Sequence, residues 1–407
     1  MPTRYGRSPW IDQFPKSRIP TYPAHRGPIK VDAAIVGGGL TGCVTAYAFA
    51  AAGIKVALFE AETLGRGTSG ASTGWISEDP GASFVEVEKL LGVRKTRYAW
   101  EAWRRAALDF AAVIRRLELK CDLEPRASLL LATTPEQAAR LSREQKARKS
   151  AGLDAVSVKG PAIVAEVGVS NSVGLRGREG ATMNPYRATL GFAAAAAERG
   201  ALIFERSPVR KIGFNRKDAE VFTAGGSFRT RRVIVATAMP TSTLFRSLAR
   251  HFWFKSTYFA LTDPIPAKIR NRLGKRSAVI RDTASPAHVV RWVDDERLLI
   301  SGADGPRPAD RLREKTIVQR TGQLMYELST IYPDISGIMP AYGWDAPYAL
   351  TGEGLPYFGA HRNFPHQILV FGDSSPGVTG AYLASRILLR QYLDEAESSD
   401  EAFSFTR

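Results

Sequence analysis

The 407-residue chain is 44% hydrophobic and 24% charged, the balance of a globular protein rather than a disordered one. It exceeds one ordinary core, which predicts two domains, and it lacks the apolar run of about 18 residues that a membrane-spanning helix needs. Its net charge of +16 is spread along the chain, with residues 1–30 carrying +5 and 205–255 carrying +8. No aromatic-interleaved basic motif accompanies either patch, so both read as solvated faces and a nucleic-acid partner is not expected. Two cysteines, Cys43 and Cys121, exclude a disulfide framework and a cysteine metal cluster. With no apolar signal core near the start, a cytoplasmic location is expected.

In chain order, residues 1–30 are rich in proline and arginine and predict an extended arm anchored by Trp10 and Phe14. Residues 31–36 form a short apolar run that reads as a buried strand. Gly37, Gly39 and Gly42 follow with G-x-G-x-x-G spacing, then an alanine-rich helix over 41–52 ended by Gly53. A second strand spans 55–59, and Glu60 closes it 18 residues after Gly42. Each part has a physical job. One glycine allows the tight turn, the next lets backbone approach a pyrophosphate, and the third lets helix pack on strand. The helix N-terminus aims N–H groups and a positive dipole end at phosphates, and the acid accepts from ribose hydroxyls. Together in register these parts make a dinucleotide site, not just a turn.

Residues 64–83 (LGRGTSGASTGWISEDPGAS) are too small and polar for a helix or strand core and predict a second ligand-contacting loop. Residues 84–117 predict a helix whose Trp100, Trp103, Ala107, Phe110, Ile114 and Leu117 share one apolar face. A strand at 129–132, a helix at 135–150 capped by Thr134 and a helix at 185–199 follow. Short strands are expected at 201–204, 209–214, 220–223 and 232–236, and further strands at 253–262, 287–293 and 297–301. Asp294-Asp295 makes the hairpin turn between the last two. A helix at 315–331, a strand at 368–371 and a helix at 382–393 finish the pattern.

The glycine turn, Glu60, GTSGASTG at 67–74, RVIVATA at 232–238, YGWDAPYALTGEGLPYFG at 342–359 and FGDSSPGVTGAYLASRILL at 371–389 occur in one order. That order resembles the FAD-dependent amine and amino-acid oxidoreductases, the family of D-amino-acid, glycine and sarcosine oxidases. The resemblance implies an α/β fold: a Rossmann-like FAD-binding domain (31–85, 150–240 and 340–395) interleaved with an antiparallel-sheet substrate domain (86–149 and 241–339). It implies non-covalent FAD, since neither cysteine falls where covalent attachment is expected. Gly37, Gly39, Leu40, Thr41 and Gly42 would face the pyrophosphate, and Glu60 and Ala61 the ribose. Arg66, Thr68, Ser69, Ser72, Thr73 and Gly74 would run beside the ribityl chain and ring. Val209 and Thr237 would meet the adenine side. Gly377, Val378, Thr379 and Gly380 would aim N–H groups at the flavin edge that gains charge on reduction.

The implied reaction is oxidation of a C–N bond by hydride transfer to flavin N5, with the imine then hydrolysed. Tyr258, His288, Trp344 and Tyr348 are the expected pocket residues, with Asp345 placed to pair a second cationic group. Where relatives often carry a carboxylate-binding arginine, this chain has Tyr348, so either the substrate lacks an α-carboxylate or Arg291 holds it. The stretch 298–301 lacks a lysine that some relatives use toward oxygen, which leaves O2 or a quinone-type carrier as electron acceptor. Three other readings share the glycine motif: a tRNA-modifying FAD oxidase, an NAD(P)H-dependent flavin hydroxylase, and a subunit that has lost FAD.

Overall fold

In a computed structural model of the chain, residues 2–170, 172–214, 218–372 and 377–407 are described. A mostly parallel sheet grows around the glycine strand. Its order is Leu202–Phe204, Val56–Phe59, Ala33–Val36, Arg232–Ala238, Phe364–Phe371, Tyr357–His361. Only the last pair is antiparallel. Side chains alternate along the glycine strand, and both faces are covered, which is why it reads as a continuous apolar run. Ala33 and Ile35 enter one core with the helices Leu40–Ala51, Phe84–Arg116, Pro185–Glu198 and Thr379–Tyr392. Ala34 and Val36 pack instead with the antiparallel strands Lys211–Phe214, Ala219–Thr223 and Gly226–Thr230.

The second sheet has nine strands, ordered Arg4–Tyr5, Pro340–Leu350, Trp253–Thr262, Arg297–Pro306, Val289–Val293, Ala278–Asp282, Ala127–Ala132, Val173–Gly177, Val156–Lys159. It is antiparallel except where Arg4–Tyr5 meets Pro340–Leu350 and where Ala278–Asp282 meets Ala127–Ala132. Asp294 and Asp295 both take φ +51° and form the expected hairpin turn. One face carries Tyr258, Ala260, Val290 and Ile300 into a core against Leu324 and Leu328 of the helix Asp310–Ile331. The other face looks toward the glycine-turn half. A register row crosses it: Trp344 pairs with Phe259, Phe259 with Ser301, Ser301 with Val289, and Val289 with Arg281.

Sheet membership redraws the expected segments. Val156–Lys159, Val173–Gly177 and Pro340–Leu350 lie in the nine-stranded sheet, whereas the sequence grouped 150–240 and 340–395 with the dinucleotide half. The long helix Phe84–Arg116, grouped with the substrate half, buries Trp100, Trp103, Phe110 and Ile114 in the core of the glycine-turn half. Pro340, Gly343 and Pro347 interrupt the sequence pattern that would have marked the eleven-residue strand Pro340–Leu350. The strand expected at 297–301 runs on to Pro306. Of the stretch 371–389, residues 373–376 lie outside the described residues.

The arm is anchored as its aromatics predict. Trp10 is buried and donates from Nε1 to the Ser72 carbonyl at 3.0 Å, and Phe14 meets Tyr186 edge-on at 5.5 Å. No helix among the described residues is long and apolar enough to cross a membrane.

Candidate active site

The glycine turn is built for close backbone approach. Gly37 has φ +112°, and a Cβ there would lie 2.5 Å from the Ala236 carbonyl oxygen. A Cβ on Gly42 would lie 1.8 Å from the Gly37 oxygen, so any side chain would pry the helix from the turn. Gly39 is the helix N-cap and supplies no side-chain cap; Ser69 takes the first N–H, that of Leu40, and the helix end beyond it borders the channel through Thr41, where a ligand's phosphates fit. Glu60 points back at the turn: Oε2 accepts from Gly38 N at 2.7 Å and Oε1 from Glu62 N at 2.9 Å. Thr237 lies against Gly37 through its backbone N, and Val209 is buried in the core behind Phe59. Ala61 and Arg66 are exposed, and Arg66 hydrogen-bonds toward Tyr186.

The loop after Glu60 is tied from three directions. Ser69 Oγ accepts from Leu40 N at 2.7 Å, the Ala71 carbonyl accepts from Trp344 Nε1 at 2.8 Å, and the Gly70 carbonyl accepts from Ser8 Oγ. Thr73 is fully buried. Gly74 has φ +67° with no room for a Cβ beside the Met183 oxygen. Between this loop and the helix starts at 40 and 379 runs a channel of about 100 Å³. Leu40, Thr41, Thr68, Ser69, Ser72, Gly377, Val378 and Gly380 line it, together with Trp103, Pro356 and Gly372. A Cβ on Gly380 would crowd Trp103 at 3.1 Å. The expected donor row at 377–380 is partly engaged by protein: Val378 N donates to the Trp75 carbonyl at 2.8 Å, and the Thr379 hydroxyl to the Ser77 carbonyl at 2.7 Å. The first turn of Thr379–Tyr392, which has no side-chain cap, remains directed to the channel. This cradle of glycines, two helix starts whose own N-cap residues make no side-chain bond, and an acid at the strand end fits a dinucleotide cofactor.

A second cavity, about 190 Å³, continues the channel and shares Thr68, Ser72 and Gly377 with it. Its floor is the register row of the large sheet, with Phe259, Ser301, Val289 and Arg281, and with Ala346, Tyr348 and Leu350 beside them. Of the four expected pocket residues, only Tyr348 lines this cavity. Its hydroxyl donates to Asp304 Oδ2 at 2.7 Å. Asp304 Oδ1 is buried and, among the described residues, accepts no hydrogen bond.

Asp304 reaches the cavity through a β-bulge. Between Ser256 and Tyr258 the pairing with Arg297–Pro306 slips, Ala303 adopts φ +52°, and its side chain joins the core under Asp310–Ile331. Simple alternation from Ser301 would put Ala303 on the pocket face and Asp304 behind. The extra residue reverses both, as bulges do. Period-two reading passes over this residue. Gly302-Ala303, small residues within an apolar strand, is the signal that could have found it.

The other expected pocket residues lie elsewhere, for reasons of register. Tyr258 pairs with Asp345 on the far face, and burial raises its hydroxyl pKa. Asp345 accepts from Arg313 Nη2 at 2.6 Å, so it holds a helix rather than a substrate. His288 bridges Asp282 Oδ2 (2.6 Å) and Glu327 Oε2 (3.0 Å). Burial alone would lower its pKa, but the two carboxylates outweigh that and raise it to about 9. Trp344 faces the cofactor loop yet stacks on Phe259 at 5.1 Å and holds Ala71. Arg291 shares the pocket face but lies beneath Trp10, 5.2 Å from its ring, with Met183 O as hydrogen-bond acceptor at 3.4 Å. Burial pushes its pKa down to about 10.

A family model described as FAD dependent oxidoreductase matches residues 32–391. The gamma-glutamylputrescine oxidoreductase of Escherichia coli (strain K12) is 26% identical over 377 residues, covering 91% of this chain and 86% of that protein. Glycine oxidase from Geobacillus kaustophilus has a similar solved structure, with a TM-score of 0.71 at 21% identity over 93% of this chain and 98% of its own. L-amino acid deaminase from Proteus myxofaciens, solved in complex with anthranilate, reaches a TM-score of 0.77 at 14% identity, covering 96% of each chain.

Proposed function

Because the chain belongs to the FAD dependent oxidoreductase family, we propose that it oxidises a C–N bond of an amine or amino acid where the cofactor channel opens into the 190 Å³ cavity. Gly37, Gly39 and Gly42 with the start of Leu40–Ala51 hold the pyrophosphate, and Glu60 the ribose. The loop 68–74 and the start of Thr379–Tyr392 flank the flavin, whose bound ring supplies the hydride acceptor. The relatives support this reading, since their names refer to an amino acid or an acylated diamine.

The observation that carries the substrate half is Asp304. A buried carboxylate oxygen with no partner is costly unless something occupies it, and this one lines the cavity beside the cofactor loop. An amine entering there donates an N–H to Oδ1, while Tyr348 fixes Oδ2 and so the carboxylate plane. An ammonium must lose a proton before its C–H can leave as hydride, and Oδ1 is placed to hold that proton. Phe259, Ala346 and Leu350 give the cavity apolar walls that exclude water until the C–H has aligned. The imine product then hydrolyses.

Electrons pass onward to O2 or a quinone-type carrier, the protein works in the cytoplasm without nucleic acid, and the two sheets correspond to cofactor and substrate domains. The test is the visible spectrum of the purified protein during anaerobic addition of amines and amino acids. Flavin bands that bleach with either class support the reading. Bleaching by NADPH alone would replace it with a hydroxylase, and a protein that stays colourless after FAD is added would overturn it.

A further inference from the structure

Resting on that reading and deepening it, we infer that the substrate carries a carboxylate at the end remote from its reacting amine, and that Arg281 binds it.

Arg281 stands on the wall between the inner cavity and a larger outer one of about 660 Å³, and Ala287 is the other residue the two share. Asp304 and Tyr348 line only the inner cavity. The two cavities therefore form one path with an amine-accepting end inside and a guanidinium further out. Arg281 is oriented by donation from Nη2 to the Gly81 carbonyl. Its nearest carboxylate is Asp79, 3.7 Å away and shared with Arg148 at 3.3 Å. Arg148 is also paired with Glu144 at 2.9 Å, and Asp79 lies beyond hydrogen-bond reach of Arg281, so among the described residues Arg281 keeps guanidinium N–H donors for a ligand, and its planar fork suits a carboxylate.

The acids that line the outer cavity are engaged within the fold, Glu86 by Lys89 at 3.0 Å. Glu144 accepts from Phe84 N (2.8 Å), Val85 N (3.3 Å) and Ser83 Oγ (2.9 Å), and it pairs with Arg148. Asp282 holds His288. Arg143 also lines this cavity, is exposed, and has no carboxylate within ion-pair distance among the described residues. It stands where an incoming anion passes, and charge focused in a cleft raises the local concentration of the opposite sign.

Spacing selects the kind of anion. The Arg281 strand and the Asp304 strand are separated by Val289–Val293, which puts their backbones about 10 Å apart across the sheet. Arg281 lies in the row of Ser301, so Asp304 is also displaced along the strand. An α-amino acid carries amine and carboxylate on one carbon, a short span against that separation, whereas a chain of several carbons, amine at one end and carboxylate at the other, matches it.

The test compares pentylamine, 2-aminopentanoate and 5-aminopentanoate, equal in carbon count, by calorimetric binding to the FAD-loaded protein under anaerobic conditions. The expected result is 5-aminopentanoate binding ~10-fold or more tighter than either other compound, the scale of a charge-assisted hydrogen-bond pair. Arg281→Met should shrink that advantage to ~3-fold or less. Arg143→Glu, on an exposed helix face, should lower it several-fold and keeps the test open if Arg281→Met does not fold. No advantage for 5-aminopentanoate, a preference for 2-aminopentanoate, or an advantage that survives both substitutions would overturn the inference. Binding is read apart from turnover. Arg281-dependent binding with no flavin bleaching would keep the tail site and remove amine oxidation. Bleaching by pentylamine with no tail preference would do the reverse.

Discussion

The two faces of the nine-stranded sheet carry similar residue types and use them differently. On the far face, Asp345 is paired with Arg313, and His288 is held between Asp282 and Glu327. On the near face, Asp304 has one oxygen engaged by Tyr348 and the other without a partner. By residue type alone, the histidine and aspartate of the far face look the more catalytic. Their hydrogen-bonding capacity is already filled from within the fold, so they hold the helix Asp310–Ile331 against the sheet. Function is assigned to the near face because a buried group there has capacity left over.

This contrast makes predictions of decreasing size. Asp345→Asn should cost about 2–3 kcal/mol of stability in denaturant unfolding, since Arg313 keeps its charge at a pair whose acid is nearly buried. A loss confined to turnover would break the contrast. The His288 bridge should show in the pH dependence of unfolding. Its folded pKa, raised to about 9, exceeds the ordinary value near 6.5. Its stabilisation is therefore complete below ~6.5 and disappears as pH climbs through ~9. His288→Gln should flatten that slope, and an unchanged slope would place the titration elsewhere. Trp10→Phe removes the hydrogen bond to Ser72 and should cost about 0.5–1.5 kcal/mol, read together with weaker FAD retention by equilibrium dialysis. Asp304→Asn should leave the melting temperature unchanged or raise stability by up to ~1 kcal/mol, because a charge serving a ligand is a burden to the empty fold. A large destabilisation would make Asp304 a structural residue like Asp345.

Legibility in the sequence followed the range of the interactions. The glycine turn, its strands and Glu60 were readable because a ligand-binding turn fixes residue type at each step over a few residues. The helix cap at Thr134 and the Asp294-Asp295 turn were readable for the same reason. The pocket was not, because which face a strand residue takes depends on its partners. Tyr258 and Trp344 were both expected inside, yet pairing with Asp345 and Phe259 sends them to opposite faces. Asp304 depends on a bulge that alternation hides, and Arg281 on a strand, Ala278–Asp282, left unassigned from the sequence. Pro340, Gly343 and Pro347 masked the strand that carries Tyr348.

The most direct test is the rate of flavin reduction after anaerobic mixing with substrate, compared between FAD-loaded Asp304→Asn and Asp345→Asn. The near-face assignment predicts a ~10–100-fold slower rate for Asp304→Asn, with FAD content unchanged, and a rate within ~3-fold of the parent for Asp345→Asn. Equal rates in both variants, or the loss falling on Asp345→Asn instead, would contradict it.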